Sequence, residues 1–377
     1  MSASAPVKNE RAAVLKAAGQ KINKELGNIP IVQAADEIMK NSGAVPRWTT
    51  GIFGLDYGLG GGIPAGQISM FWGERSTGKT TTAMRVVGTV QKSCAACYQL
   101  LTACKCAKKI PGAVVWIDTE GTWDRHLINW AKTMGVNLSE LIVARPSTGE
   151  QTVDILKEYL KDGQEADLIV LDSIAQMTPG KEIEVSAEEN QQGLMARITN
   201  KGFRIWTSMQ NEMMAKYGKS PTILTINQIR FKMTAYGDPR TPPGGHGQEF
   251  ALSTWTEMYR RGGKEAAELV DKATGKPFAG MFGYKVIKNR TSIAGREGDY
   301  MLIFTDTQRR KKGDIVEEGE VIGLAKAVGM IEGARKLTLD GKEYESAAEL
   351  EDFWIANPAK YAEFKRKLME KLLSAEE

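Results

Sequence analysis

Gln67-Ile68-Ser69-Met70-Phe71-Trp72-Gly73 runs into Glu74-Arg75-Ser76-Thr77-Gly78-Lys79-Thr80, and a helical stretch, Thr81–Val90, follows. An apolar strand, a G-x-x-x-x-G-K-T turn and a helix in that order are the setting in which this motif grips a phosphate chain. Glycines let the backbone wrap the phosphates. Successive N–H groups and the positive end of the helix favour their negative charge. Gly73, Glu74, Arg75, Ser76, Thr77, Gly78, Lys79, Thr80 and Thr81 are therefore the candidate nucleotide-binding residues. Lys79 would reach the outer phosphates and the Thr80 hydroxyl would ligate Mg²⁺. A chance glycine-rich turn is the bland alternative, and the flanking strand and helix argue against it.

Similar apolar runs recur at Ala113–Asp118, Leu141–Ala144, Asp167–Asp172 and Thr222–Asn227, with helical segments between them. Near-continuous apolar strands alternating with helices predict an α/β fold with a mostly parallel twisted sheet flanked by helices on both faces. Asp172 ends one such strand, which puts a carboxylate beside the phosphate turn and makes it a second candidate Mg²⁺ ligand. Glu120 follows another, where an acid can orient and activate water for in-line attack. Either acid alone would more often be a solvated or capping group.

The 377 residues exceed what one core usually fills, so a smaller appended domain is expected. The net charge of +4 permits a nucleic-acid partner without arguing for one. No apolar run approaches a membrane span and the N-terminus has no signal-like core, so a cytoplasmic location is expected. Leu15, Ala18, Ile22 and Leu26 form a helical stripe near the N-terminus that needs a surface to cover it, on this chain or on a neighbouring copy. Beyond about Gly319 the pattern changes to a helix, a hairpin turning on Asp340-Gly341, and a helix with Tyr361, Phe364, Leu368 and Leu372 on one face. That is a small α+β unit.

Two segments suit a polynucleotide. Glu182–Gly193 reads as a polar surface loop, and the helix after it carries Arg197, Lys201 and Arg204 at i, i+4 and i+7, a basic stripe matched to phosphates. Ile229–His246 is long, basic and rich in Gly and Pro, with Phe231 and Tyr236 among the cations. Single strands offer phosphates and base faces together, which such a loop can grip. A solvated helix face and a lid over the nucleotide are the competing readings.

Trp48–Gly66, Gly73–Ala83, Trp116–Asp124, Arg145–Gln151, Leu168–Pro179 with Glu182–Glu184, Ile226–Lys232, Pro243–Gly245 and Val286–Arg290 have the order and spacing of bacterial RecA recombinases. The sequence resembles that family, chromosomal or phage- and plasmid-encoded, from about Ala12 to Leu372. The resemblance implies a P-loop NTPase core over residues 49–318, an N-terminal oligomerisation helix and linker over 1–48, and a small C-terminal domain over 319–377. It also implies an ATP- and Mg²⁺-dependent protein that forms filaments on single-stranded DNA, pairs it with homologous duplex DNA, and hydrolyses ATP in response to DNA. In that frame Glu120 would be the catalytic base and Asp124 would contact the adenine. Gln228 would sense the γ-phosphate, and Lys288 and Arg290 would reach a neighbouring copy's ATP. Gln192, Gly193, Arg197, Asn200, Arg204, Arg230, Phe231, Lys232, Tyr236, Gly244 and Gly245 would meet DNA. Leu127 stands where the family usually places an aromatic residue near the adenine, and Arg290 where a lysine is usual. A ring-shaped motor on the same fold and a nucleotide-switched DNA scaffold are the rival functions.

All four cysteines, Cys94, Cys97, Cys104 and Cys106, lie in a segment (91–109) longer than the corresponding family connection. Four thiolates this close suit a tetrahedral Zn²⁺ that holds a segment with no core of its own. Reduced free cysteines are the alternative. The helix leading to them runs away from the phosphate turn, so the insertion is expected opposite the nucleotide.

Overall fold

The computed structural model describes residues 10–41, 43–161, 165–184, 193–231, 240–245, 247–262, 268–271 and 274–375. The chain begins with α1 (Glu10–Glu25), α2 (Ala35–Asn41), β1 (Arg47–Trp48), α3 (Phe53–Leu59), β2 (Ile63–Pro64), β3 (Ile68–Gly73) and α4 (Lys79–Val90). It continues through β4 (Val114–Asp118), α5 (Arg125–Thr133), β5 (Leu141–Ala144), α6 (Gly149–Tyr159), β6 (Leu168–Asp172), α7 (Gly180–Glu184), α8 (Leu194–Tyr217) and β7 (Thr222–Gln228). Then come β8 (Arg230–Phe231), β9 (Arg240–Thr241), α9 (Gly247–Ala251), β10 (Thr254–Arg260), β11 (Glu268–Val270), β12 (Pro277–Asn289), β13 (Glu297–Ile303) and β14 (Ile315–Val316). The C-terminal part holds α10 (Glu318–Ala327), β15 (Leu337–Leu339), β16 (Lys342–Tyr344), α11 (Ala347–Ala356) and α12 (Pro358–Ser374).

The main sheet has the order β14-β13-β12-β10-β3-β7-β6-β4-β5, with β11 on β12. From β10 to β5 every pairing is parallel. Strands β3, β4 and β6 are buried along their whole length, as a sheet covered on both faces requires. Alternate side chains feed two cores. Phe71, Trp116, Val170 and Leu224 join α4 and α3 on one face, while Met70, Ile117, Leu171 and Ile223 meet Phe203 and Trp206 of α8 on the other. The five predicted strands lie where the sequence placed them.

The antiparallel wing, β12 with β11, β13 and β14, was not read from the sequence. Its apolar pattern is broken by Gly280 and Gly283, although Phe282, Tyr284 and Val286 share the core face and Lys285 is exposed on the other. The expected surface loop from Glu182 also differs: residues up to Glu184 form the end of α7.

The C-terminal unit builds its own apolar cluster from Val321, Leu337, Leu350, Trp354, Phe364, Leu368 and Leu372, into which α3 inserts Phe53. Its hairpin turns on Asp340 and Gly341, both with positive φ, as a two-residue turn between twisted strands needs. At the other terminus Leu15, Ile22 and Leu26 remain exposed, and α1 meets the following segment through paired Asn23–Val32 hydrogen bonds, both 2.8 Å. Among the described residues no helix is long and apolar enough to cross a membrane.

Candidate functional site

The turn from Gly73 to Thr80 joins the C-terminal end of β3 to the first turn of α4. Gly73 packs so tightly that a Cβ there would meet the Met258 carbonyl oxygen at 2.1 Å, which excludes any other residue. Glu74, Arg75 and Ser76 are exposed, Thr77 is buried, and Thr81 lies half-buried in the first turn of α4. Lys79 is buried and its Nζ donates to the Gly73 (2.9 Å) and Glu74 (2.5 Å) carbonyls. Burial pushes its ammonium down to about 8, against the pull of Asp172, Glu120 and Glu74. Thr80 Oγ1 donates to Asp172 Oδ2 at 3.0 Å. Burial, with Glu120 and Asp118 nearby, raises the Asp172 carboxyl to about 7, opposed by the Thr80 hydrogen bond and Lys79. A hydroxyl and a charge-starved carboxylate side by side are hard oxygen donors that fit a divalent cation such as Mg²⁺.

Glu120 is exposed beside this turn, and its Oε1 accepts from Ser173 Oγ (2.7 Å) and Gln228 Nε2 (3.0 Å). Gln228 ends β7, level with Gly73. From it a hydrogen-bonded chain leads away from the phosphates. Gln228 N donates to Asn227 Oδ1 (2.9 Å), and Asn227 Nδ2 donates to the Pro243 carbonyl (3.0 Å) and Gln248 Oε1 (3.2 Å). Gln248 Nε2 donates in turn to the Pro243 and Gly245 carbonyls, both 2.9 Å. The Gly244–Gly245 turn thereby lies on α8, so close that a Cβ on Gly244 would come within 2.8 Å of Thr199. Gly193, the end of the first proposed DNA segment, and the Gly244–Gly245 turn of the second thus both lie at the N-terminal turns of α8.

Gly193 caps α8, and Arg197, Lys201 and Arg204 are exposed along it. Lys157 of α6 joins the last two around a shallow basic depression of about 540 Å³. Asn200 instead turns under the second loop, toward Gly245 and Gly247. Arg230 and Phe231 are exposed. The second loop is less irregular than its composition implies, because β8 pairs with β9 at its base. Gln192, Lys232, Tyr236 and His246 lie outside the described residues.

Asp124 and the Lys288–Arg290 pair lie away from the phosphate turn. Asp124 Oδ1 caps α5 by accepting from Leu127 N at 2.8 Å, and no hydrogen bond or ion pair among the described residues joins it to the phosphate turn. Lys288 and Arg290 donate to the Glu249 and Phe250 carbonyls of α9. Arg290 N bonds the Ser253 carbonyl (2.9 Å), and Ser253 N bonds Ile68 O (2.8 Å), which places Arg290 at the start of β3 while the phosphate turn is at its end. Those strand ends are ~17 Å apart at ~3.3 Å per residue. Phe250, 76% exposed, stands beside the pair.

The family pattern described as the RecA N-terminal domain matches residues 13–104 and 96–308, its two stretches meeting inside the cysteine segment. Protein RecA of Pseudomonas putida is 30% identical over 97% of this chain and 92% of its own length. Protein RecA of Nautilia profundicola is 32% identical over 81% and 77%, and that of Sulfurimonas denitrificans 30% over 91% and 90%. The chain belongs to the RecA family. It is a RecA-type recombinase on a RecA-like α/β core, and its family is one of DNA-dependent ATPases that use ATP and Mg²⁺.

Several residues in this RecA framework escaped sequence reasoning. Arg260 braces the phosphate turn, donating to the Ser76 carbonyl (2.8 Å) while its guanidinium lies 4.8 Å from the Phe282 ring. Asn227 and Gln248 are fully buried amides, recognisable only from the groups they bond. Phe250 carried no signal, since one aromatic residue in a short polar stretch has no period.

Proposed function

We propose that this chain polymerises on single-stranded DNA in the presence of ATP, pairs that strand with homologous duplex DNA, and hydrolyses ATP to ADP and phosphate faster when DNA is bound. The observation that carries the reading is the unbroken hydrogen-bonded path from Glu120 through Gln228, Asn227 and Gln248 to the Gly244–Gly245 turn on α8. Such a path gives occupancy of the phosphate site a route to the loops that face DNA.

In this reading Lys79 exchanges its backbone carbonyl partners for the outer phosphates, and Glu120 orients the attacking water and accepts its proton. Mg²⁺ held by Thr80 and Asp172 would neutralise charge on the transferring phosphoryl group. Gln228 divides its side chain between Glu120 and the γ-phosphate, and so reports the nucleotide state to the second loop. Asp124 is kept as an adenine contact through the carboxylate oxygen not used in capping.

Lys288 and Arg290, at the far end of their own sheet, serve the ATP of the next copy. Two cations arriving across an interface complete the charge stabilisation only when subunits assemble. Phe250 and the uncovered α1 stripe supply apolar surface for that contact. A heterologous contact of this kind closes into a ring or continues as a helix. We favour the open filament, built by residues 1–48 docking on the 49–318 core of a neighbour, with 319–377 as the appended unit and a structural Zn²⁺ on the four cysteines.

Turnover of ATP measured with and without poly-dT, alongside a joint-molecule assay with homologous duplex, tests the reading. Stimulation by DNA together with joint molecules is expected; turnover indifferent to DNA contradicts it.

A further inference from the structure

Cys94, Cys97, Cys104 and Cys106 come together from a segment with little apolar surface to bury. Leu100 and Ile110 are about two-fifths exposed, whereas Cys94 and Cys104 are buried. The four sulfurs lie within 4.8 Å of one another, and Cys97 Sγ to Cys104 Sγ measures 3.5 Å. A tetrahedron with Zn–S bonds of ~2.3 Å has S···S edges of ~3.8 Å, so the cluster has the size of a ZnS₄ centre. Backbone geometry supports the same use, since Cys106 N donates to Cys104 Sγ at 3.4 Å, a bond that stabilises a thiolate. Lys92, Lys105, Lys108 and Lys109 surround the cysteines in sequence and offset the net negative charge of a tetrathiolate centre. Backbone ties, Cys94 N to Gln99 O (2.8 Å) and Ala95 N to Ile110 O (2.7 Å), fold both arms of the segment around the sulfurs.

The cluster leads to one further group. Tyr98, between the second and third cysteines, meets Trp48 edge to face with centroids 4.6 Å apart. Trp48 is buried, donates Nε1 to Thr222 Oγ1 (3.1 Å) at the start of β7, and lies where the N-terminal segment joins the core. Its neighbour Arg47 donates to the Leu59 carbonyl (2.9 Å), and to the Thr291 carbonyl (2.8 Å) and hydroxyl (3.0 Å) one residue beyond Arg290.

From these placements we infer that the cysteine segment is a zinc knot that pins the root of the N-terminal linker, through Tyr98 on Trp48, beside the Lys288–Arg290 pair. Zn²⁺ replaces the missing core of the insertion and fixes Tyr98, and Tyr98 fixes the strand from which the docking helix departs. The bearing of this clamp on assembly rests on the filament reading above; the metal and the clamp themselves do not.

The test uses the full chain purified without chelator. Elemental analysis is expected to find about one zinc per chain, and Co²⁺ exchange to give thiolate charge-transfer absorption. Cys97→Ser and Cys106→Ser should lose both. Zinc below about a tenth of an equivalent, or the thiols recovered as disulfides, would overturn the site. For the clamp, Tyr98→Ala should keep its zinc yet be cut by trypsin after Arg47 roughly three- to tenfold faster than the wild type, with Tyr98→Phe restored. Equal cleavage in Tyr98→Ala and wild type would overturn the clamp. Assembly on poly-dT with a slowly hydrolysed ATP analogue, read on the same samples, should weaken in parallel. A wild type that never assembles would sink the filament reading while the zinc and cleavage results still judge this one.

Discussion

At the C-terminal ends of β3, β4, β6 and β7 the chemistry sits on short, almost wholly buried strands that end on or just before the candidate groups: Gly73, Glu120 just beyond β4, Asp172 and Gln228. At the opposite ends of the same strands the chemistry is borrowed from additions, namely the cysteine insertion, the Arg47–Trp48 linker, α9 and the tail of β12. One end binds a ligand within a single chain. The other holds two cations a strand length from the phosphate turn of their own chain, which suits the trans role proposed for them. On the reading proposed above, such a sheet carries half a site at each end, and two copies stacked head to tail would make one whole site.

The largest effect that would break this division is on the phosphate turn. Lys79→Ala should abolish ATP-dependent binding to poly-dT, by a hundredfold or more on the scale of losing a preorganised phosphate contact; filament assembly retained with ATP would refute the role given to Lys79. Next in size, replacing Lys288 and Arg290 together by Ala should leave nucleotide binding by the isolated chain within about twofold while cutting DNA-dependent turnover by roughly 10³-fold, the scale of cations supplied in trans. Parallel equilibrium and turnover measurements separate the two ends.

A smaller effect comes from pH. In the nucleotide-free protein Lys79 is held down to about 8, yet against phosphates it must carry its charge. Binding above pH 8 therefore takes up a proton, and ATP affinity should fall as pH rises from 8 to 10, by up to about tenfold per unit. The same depression means the nucleotide-free fold gains stability as pH rises through that window, since the unfolded chain then holds more protons. Lys79→Arg, charged throughout, should give a flat affinity profile. Smallest is Gln248→Ala, which strips the Pro243 and Gly245 carbonyls of a buried donor at a cost of ~1–3 kcal/mol. It should reduce DNA stimulation of turnover several-fold while basal turnover holds.

Legibility followed the same division. Strand ends with an apolar run before them announced Lys79, Thr80, Glu120 and Asp172, and the family resemblance added Gln228; the five converge in space from four separate stretches of sequence. Asp124 reads two ways in sequence, because an acid at a helix start can cap as readily as it can meet a ligand, and here its Oδ1 caps α5. The β12 wing was missed because its buried positions, Phe282, Tyr284 and Val286, are interspersed with glycines and the exposed Lys285 and make no continuous apolar run. Asn227 and Gln248 were invisible for a different reason: a buried amide is recognised by its partners, and those partners are backbone carbonyls 16 and 3–5 residues away. The cysteines were read correctly as a cluster, but their neighbour Trp48 lies far off in sequence, beyond any local pattern.

The most direct measurement mixes two inactive proteins. Lys79→Ala retains the Lys288–Arg290 end, and the Lys288→Ala/Arg290→Ala double variant retains the phosphate end. If adjoining copies build the site between them, an equal mixture on poly-dT should recover ATP turnover that neither protein shows alone, up to about a quarter of the wild-type level, the share of junctions with both intact halves facing each other when the two mix at random. A mixture as inactive as its components, although each still co-assembles with wild-type protein, would contradict the shared site.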